Sequence, residues 1–135
     1  MIQRKQTFFI LISLIISCLI IFSIDLVNSK KYDFTLNVSN EPVLSMFFYG
    51  SFLLGLISFF AFKNRLLQYR LCVFNMYFQI CPIIFTFSYM STKNFHPQLF
   101  DILGIFLVFI SLAFYGMAAI YIKKDEDLIK SIDRI

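Results

Sequence analysis

The stretch KNRLLQYRLCVFNMYFQICPIIFT, Lys63–Thr86, decides how the rest of the chain is read. It opens with Lys63, Arg65 and Arg70 in a short polar run and then turns apolar. Within the apolar part stand Asn75 and Gln79, the two amide side chains expected at membrane depth, followed by Pro82. Two apolar runs precede this stretch and one follows it.

The composition requires a membrane. Of 135 residues, 59% are hydrophobic and 15% charged, and the mean hydropathy is +0.79. A water-soluble chain of this length could not bury that much apolar surface. The charges cluster between uncharged runs of about 20 residues, the length that crosses a hydrocarbon core of about 30 Å. The expected fold is therefore an all-α membrane protein, a single domain built as a four-transmembrane-helix bundle. Its spans fall at about residues 7–24, 43–62, 71–91 and 102–122, with a loop at 25–42, a loop at 63–70 and a tail at 123–135. The net charge of +4 does not point to nucleic acid, because the basic residues flank apolar spans and suit lipid headgroups. Cys18, Cys72 and Cys81 all lie within spans, as small packing residues rather than a disulfide or metal framework.

The first span continues apolar past Cys18, which favours an uncleaved helix over a signal peptide or a lipoprotein signal. In the following loop, Tyr32, Phe34, Leu36 and Val38 alternate with Asp33, Thr35, Asn37 and Ser39, and Asn28-Ser29-Lys30 offers a turn back to Asp25–Val27. A short extracytoplasmic β-hairpin and an ordered loop are equally consistent with that pattern. A hairpin would have to lean on helix ends, since two strands alone are barely stable in water. Pro42 suits the first turn of the second span. That span aligns Ser51, Gly55 and Ser58 on one face, and the fourth aligns Gly104, Ser111 and Ala118. Small residues so spaced let two helices approach closely. In the tail, Leu128, Ile129, Ile132 and Ile135 share a face, which predicts a cytoplasmic amphipathic tail helix at the membrane surface or against a partner. Extension of the fourth helix is the alternative.

Orientation follows from Lys and Arg. Arg4, Lys5, Lys63, Arg65, Arg70, Lys123, Lys124, Lys130 and Arg134 lie on one side; Lys30, Lys31 and Lys93 lie on the other. The richer side faces the cytoplasm, so both termini are cytoplasmic.

No Asp, Glu, Lys, Arg or His occurs inside the spans, and Asp25 and Asp101 sit at their edges. A proton-coupled transporter would need such a group at depth. Paired cysteines for disulfide exchange, histidines for haem, and phosphate-loop, HExxH or GxSxG motifs are all missing from the sequence. His96 stands alone in a loop. The expectation is a protein with no enzymatic activity, cofactor or metal. What remains at depth is the stripe Gln68, Cys72, Asn75, Gln79, Pro82 and Thr86, spaced three and four apart on one helical face. Two amides and a thiol suit a helix-packing seam of Cys72, Asn75, Gln79 and Pro82 better than a conducting wall. Pro82 also frees the carbonyl of Phe78 and predicts a kink.

Three segments carry a resemblance. They are Met1-Ile2-Gln3-Arg4 with Gln6; Arg65, Gln68, Arg70, Leu71, Cys72 and Asn75; and Ile122–Glu126 with Leu128, Lys130, Ser131, Asp133 and Arg134. Together they resemble the small bacterial membrane proteins of domain-of-unknown-function family 4293. The resemblance spans the chain and implies a multi-pass protein of the bacterial inner membrane with no established activity. Ile120 departs from the basic residue found in relatives. Because the matching residues gather at the cytoplasmic face, they suggest an interaction surface of Arg65, Gln68, Arg70, Lys123, Lys124, Asp125, Glu126, Asp133 and Arg134. The expected function is that of an accessory or interaction subunit, meeting the lipid bilayer and either a membrane-protein partner or a second copy. The competing reading is a small oligomeric transporter or channel along the polar face of the third helix.

Overall fold

The computed structural model describes residues 5–29, 34–93, 98 and 102–132, and only the backbone of 34, 130 and 132. The chain order is α1 (Lys5–Phe22), β1 (Val27–Ser29), β2 (Phe34–Leu36), α2 (Pro42–Phe60), α3 (Arg65–Thr92) and α4 (Leu103–Ile132), with a 3-10 turn at Ala61–Lys63. All four helices are long and apolar enough to cross a membrane. Arg4, Lys30, Lys31, Tyr32, Asp33, His96, Asp101, Asp133, Arg134, Ile135 and the side chain of Lys130 lie outside the described residues.

Each helix packs chiefly on two neighbours: α1 on α2 and α4, and α3 on α2 and α4. The order around the bundle is thus the order along the chain, which short connections enforce. Pairings along the interfaces show the directions. Gln79 and Cys72 of α3 meet Ser51 and Ser58 of α2, so a step down one helix is a step up the other. Ser13 meets Ser111 while Phe9 stacks on Tyr121 at 5.4 Å, making α1 and α4 antiparallel as well. The bundle runs up and down alternately. Lys5, Lys63, Arg65, Arg70, Lys123 and Lys124 therefore gather at one end, here called the basic end, and the β-hairpin covers the other.

Local sequence explains the boundaries. Pro42 stands in the first turn of α2, where its missing N–H costs nothing. Asn64 caps α3, its Oδ1 accepting from the Leu67 N–H at 3.2 Å. Pro82 interrupts one backbone bond, yet α3 continues through it to Thr92. Thr86 Oγ1 donates to the Pro82 carbonyl at 2.7 Å, so its own polar group is satisfied within the helix.

The hairpin forms, with Val27, Asn28 and Ser29 opposite Leu36, Thr35 and Phe34. Asn28 and Ser29, which the sequence offers as part of a turn, belong to strand β1 instead. Pairing them extends the ladder, and it buries Val27 and Ser29 on one side. Leu26, Val27, Leu36 and Val38 join Ile20, Leu44, Phe48, Met90 and Ile105 in one apolar cluster, so the strands do lean on helix ends. Gly104 makes this possible. A Cβ there would strike the backbone of Asp25 and lie 2.5 Å from the Leu26 Cα.

A second correction concerns the tail. It is no separate surface helix; α4 continues through Lys123–Asp127 to Ile132. Nothing in Met117–Ile132 is Gly or Pro, so no residue ends the hydrogen-bond ladder.

Candidate functional site

The stripe on α3 faces the bundle interior. Gln68, Cys72, Asn75, Gln79, Pro82 and Thr86 are all buried, as helical spacing requires once one of them is inside. At mid-bundle the amides meet serines. Ser51 Oγ donates to Asn75 Oδ1 at 2.7 Å, and Asn75 Nδ2 donates back to the Ser51 carbonyl at 3.1 Å. Gln79 Nε2 spends its two protons on Ser51 Oγ at 3.1 Å and Ser111 Oγ at 3.2 Å. Ser13 Oγ donates to the Ser111 carbonyl at 2.7 Å. Its proton being used there, the 3.3 Å contact between the two hydroxyls is donated by Ser111. One oriented chain of hydrogen bonds thus joins all four helices.

Nearer the basic end, Ser58 Oγ lies 3.1 Å from Cys72 Sγ. Four side chains between mid-bundle and the basic end stay incompletely satisfied. Both polar atoms of Gln6 and of Gln68 lack partners, as do Gln79 Oε1 and the Tyr115 hydroxyl. Tyr115 is fully buried and sits beside Asn75 without a hydrogen bond of acceptable geometry.

Toward the hairpin the interior is closed by apolar groups, with Phe48, Met90 and Val108 nearly fully buried. Among the described residues, no Asp, Glu, Lys, Arg or His side chain is buried, and no group of three potential metal ligands occurs.

The second candidate surface is the basic end. Arg70, Lys123 and Lys124 are exposed, and Arg65, Asp125 and Glu126 are partly buried. Arg65 Nη1 reaches the Asp125 carbonyl at 3.5 Å, tying the start of α3 to the extension of α4. Gln68, grouped from sequence with the interaction surface, is corrected here. It is fully buried, because it lies one turn before Cys72 on the interior stripe. A groove on α4 is lined by Ile120, Lys123, Lys124, Asp127, Leu128 and Ser131.

With this geometry in view, a family model described as Domain of unknown function (DUF4293) matches residues 2–135. The chain belongs to the DUF4293 family. No curated protein and no solved structure matches it.

Helical spacing alone marks the α3 side of this seam. Spacing does not mark the hydroxyls that answer it: Ser51, Ser58 and Ser111 read in sequence as small packing residues, and nothing in the pattern singles out Ser13. The available signal was a serine at each helix-facing heptad step opposite a helix bearing amides. Those serines serve both ends: they permit close approach and complete the hydrogen bonds.

Proposed function

We propose that this protein is a non-enzymatic membrane subunit that acts by contact, docking a membrane-protein partner at its basic end. The observation that carries the proposal is the run of α4 beyond the apolar span. From Lys123 to Ile132 the helix projects about 15 Å, and on it Leu128 and Ile129 are 55% and 41% exposed among charged residues. This apolar pair, exposed among charged side chains, is the surface that we take for the contact. Lys123, Lys124, Asp125 and Glu126 beside them, with Arg65 and Arg70, supply charges of both signs for selecting a partner.

The bundle interior supports the same reading. Its mid-membrane amides are engaged in helix–helix hydrogen bonds, and among the described residues it buries no carboxylate or amine that could carry a proton or ion. The membrane proposed is the bacterial inner membrane, with both termini, the Lys63–Arg70 segment and the α4 extension in the cytoplasm.

A photo-crosslinking residue at Leu128 tests this in living cells, with Phe106 on the lipid-facing surface as the control. A discrete protein adduct at Leu128, lost on Lys124→Glu, is expected. Adducts at Phe106 alone, or none at either position, would overturn the docking surface. A reporter fused after Ile135 that is active only outside the cytoplasm would reverse the orientation.

A further inference from the structure

Leu103–Ile122 carries no charged residue and rises about 30 Å, one hydrocarbon thickness. The bilayer boundary on α4 therefore falls at Lys123, and the groove on this helix crosses it. Ile120 stands inside the boundary and is 68% exposed. Lys123 and Lys124 stand at it, and Asp127, Leu128 and Ser131 lie beyond. These residues stand three and four apart along the helix, so they form one face, and all are exposed. The bundle-facing side of α4 is a different one, with Ala118, Ala119 and Ile122 buried.

The polar groups of the groove are sorted by depth. The donors, Lys123 and Lys124, come first, and the acceptors begin about 5 Å further out with Asp127. Ser131 belongs with the acceptors: its Oγ donates to the Leu128 carbonyl at 2.7 Å, which leaves the oxygen free to accept. Lys123 precedes Asp127 by four residues, the weaker orientation for a helical pair. No ion pair joins the two among the described residues. Helical side chains lean toward the N-terminus, which on α4 is toward the bilayer, so both sets reach back into the headgroup layer.

We propose that this groove holds one phospholipid whose headgroup bears both a phosphate and a primary ammonium, the chemistry of phosphatidylethanolamine. An acyl chain lies along Ile120, and the phosphate oxygens accept from Lys123 and Lys124. The ammonium, which such a headgroup carries outward of its phosphate, donates to the Asp127 carboxylate and to Ser131 Oγ. A headgroup that is only anionic would leave Asp127 facing a like charge. A quaternary choline has no N–H to give the two acceptors. The site needs no protein partner, and it stands independently of the docking contact at Leu128 and Ile129.

Native mass spectrometry of the purified full-length protein, released from nanodiscs, tests this with no partner present. The nanodiscs hold phosphatidylethanolamine, phosphatidylcholine and phosphatidylglycerol in equal amounts with identical acyl chains. The protein is expected to retain phosphatidylethanolamine several-fold over the other two. Equal retention of the three, or a preference for phosphatidylglycerol, would overturn the site. Asp127→Asn should bring phosphatidylethanolamine and phosphatidylcholine to parity, and Lys123→Gln/Lys124→Gln should lower retention of phosphatidylethanolamine several-fold. These side chains are exposed, so the variants act on binding rather than on folding. Lys63→Gln, at the same end of the bundle, should leave the preference unchanged. A preference that survives Asp127→Asn, or that Lys63→Gln abolishes equally, would overturn the assignment to this groove.

Discussion

Ser51 and Asn75 exchange two hydrogen bonds across the α2–α3 interface, hydroxyl to amide oxygen at 2.7 Å and amide to backbone carbonyl at 3.1 Å. The reciprocity holds the two helices in register, since sliding either by one turn would break both bonds. The same Ser51 hydroxyl accepts from Gln79, so one small side chain receives one amide and answers the other.

The energetic link between the pair is measurable. A double-mutant cycle of Ser51→Ala and Asn75→Leu should return a coupling of about 0.6–2 kcal/mol, the range of interhelical hydrogen bonds in lipid. Equilibrium unfolding in mixed detergent micelles supplies the four stabilities. A coupling of zero would mean that the bond is replaced freely when the partner is lost.

Gly55 and Gly116 should respond differently to the same added methyl. At Gly55 a Cβ would run into the Tyr115 hydroxyl and lie 2.8 Å from Leu14 Cδ2, whereas at Gly116 it would come no nearer than 3.4 Å, to the flexible end of Met76. Tyr115 is fully buried and cannot swing away. Gly55→Ala is expected to cost about 1–3 kcal/mol as overpacking, and Gly116→Ala to stay within about 1 kcal/mol. Thermal melts of the two variants side by side check the contrast.

Gly104→Ala should act locally rather than globally. Its Cβ would press on the backbone of Asp25 and Leu26, lifting β1 from α4 while leaving the seam untouched. Hydrogen exchange at 26–29 and 34–36 should quicken, with exchange at Asn75–Gln79 unchanged. Uniform quickening along the chain would mean that the hairpin helps hold the whole bundle together.

Leu128→Asp together with Ile129→Asp separates docking from folding. Both side chains are exposed, so the thermal midpoint should barely move, in keeping with surface substitutions of about ±0.5 kcal/mol. Partner crosslinking from a probe at Lys124 should nevertheless disappear. Crosslinking that survives both substitutions would place the contact elsewhere.

What the sequence determined by itself was the part governed by length and period. Four apolar runs long enough for a bilayer, separated by charges, allow little besides a helical bundle, because only helices satisfy the backbone within one segment in lipid. Spacing by three and four put Gln68 through Thr86 on one face, and alternation foreshadowed the strand Phe34–Leu36. Tertiary structure decided what those faces meet. Serine is small and also polar, and only the presence of an amide opposite made Ser51 and Ser111 hydrogen-bonding partners rather than spacers. The same holds for Gln68, whose place in a basic motif suggested the surface while its helical phase carried it inside. The tail became an extension of α4 because backbone hydrogen bonding continues until a residue stops it. The Lys63–Thr86 stretch thus announced the helix and its inward face. The partners of that face came from residues distant in sequence, brought opposite by the antiparallel packing of the other three helices.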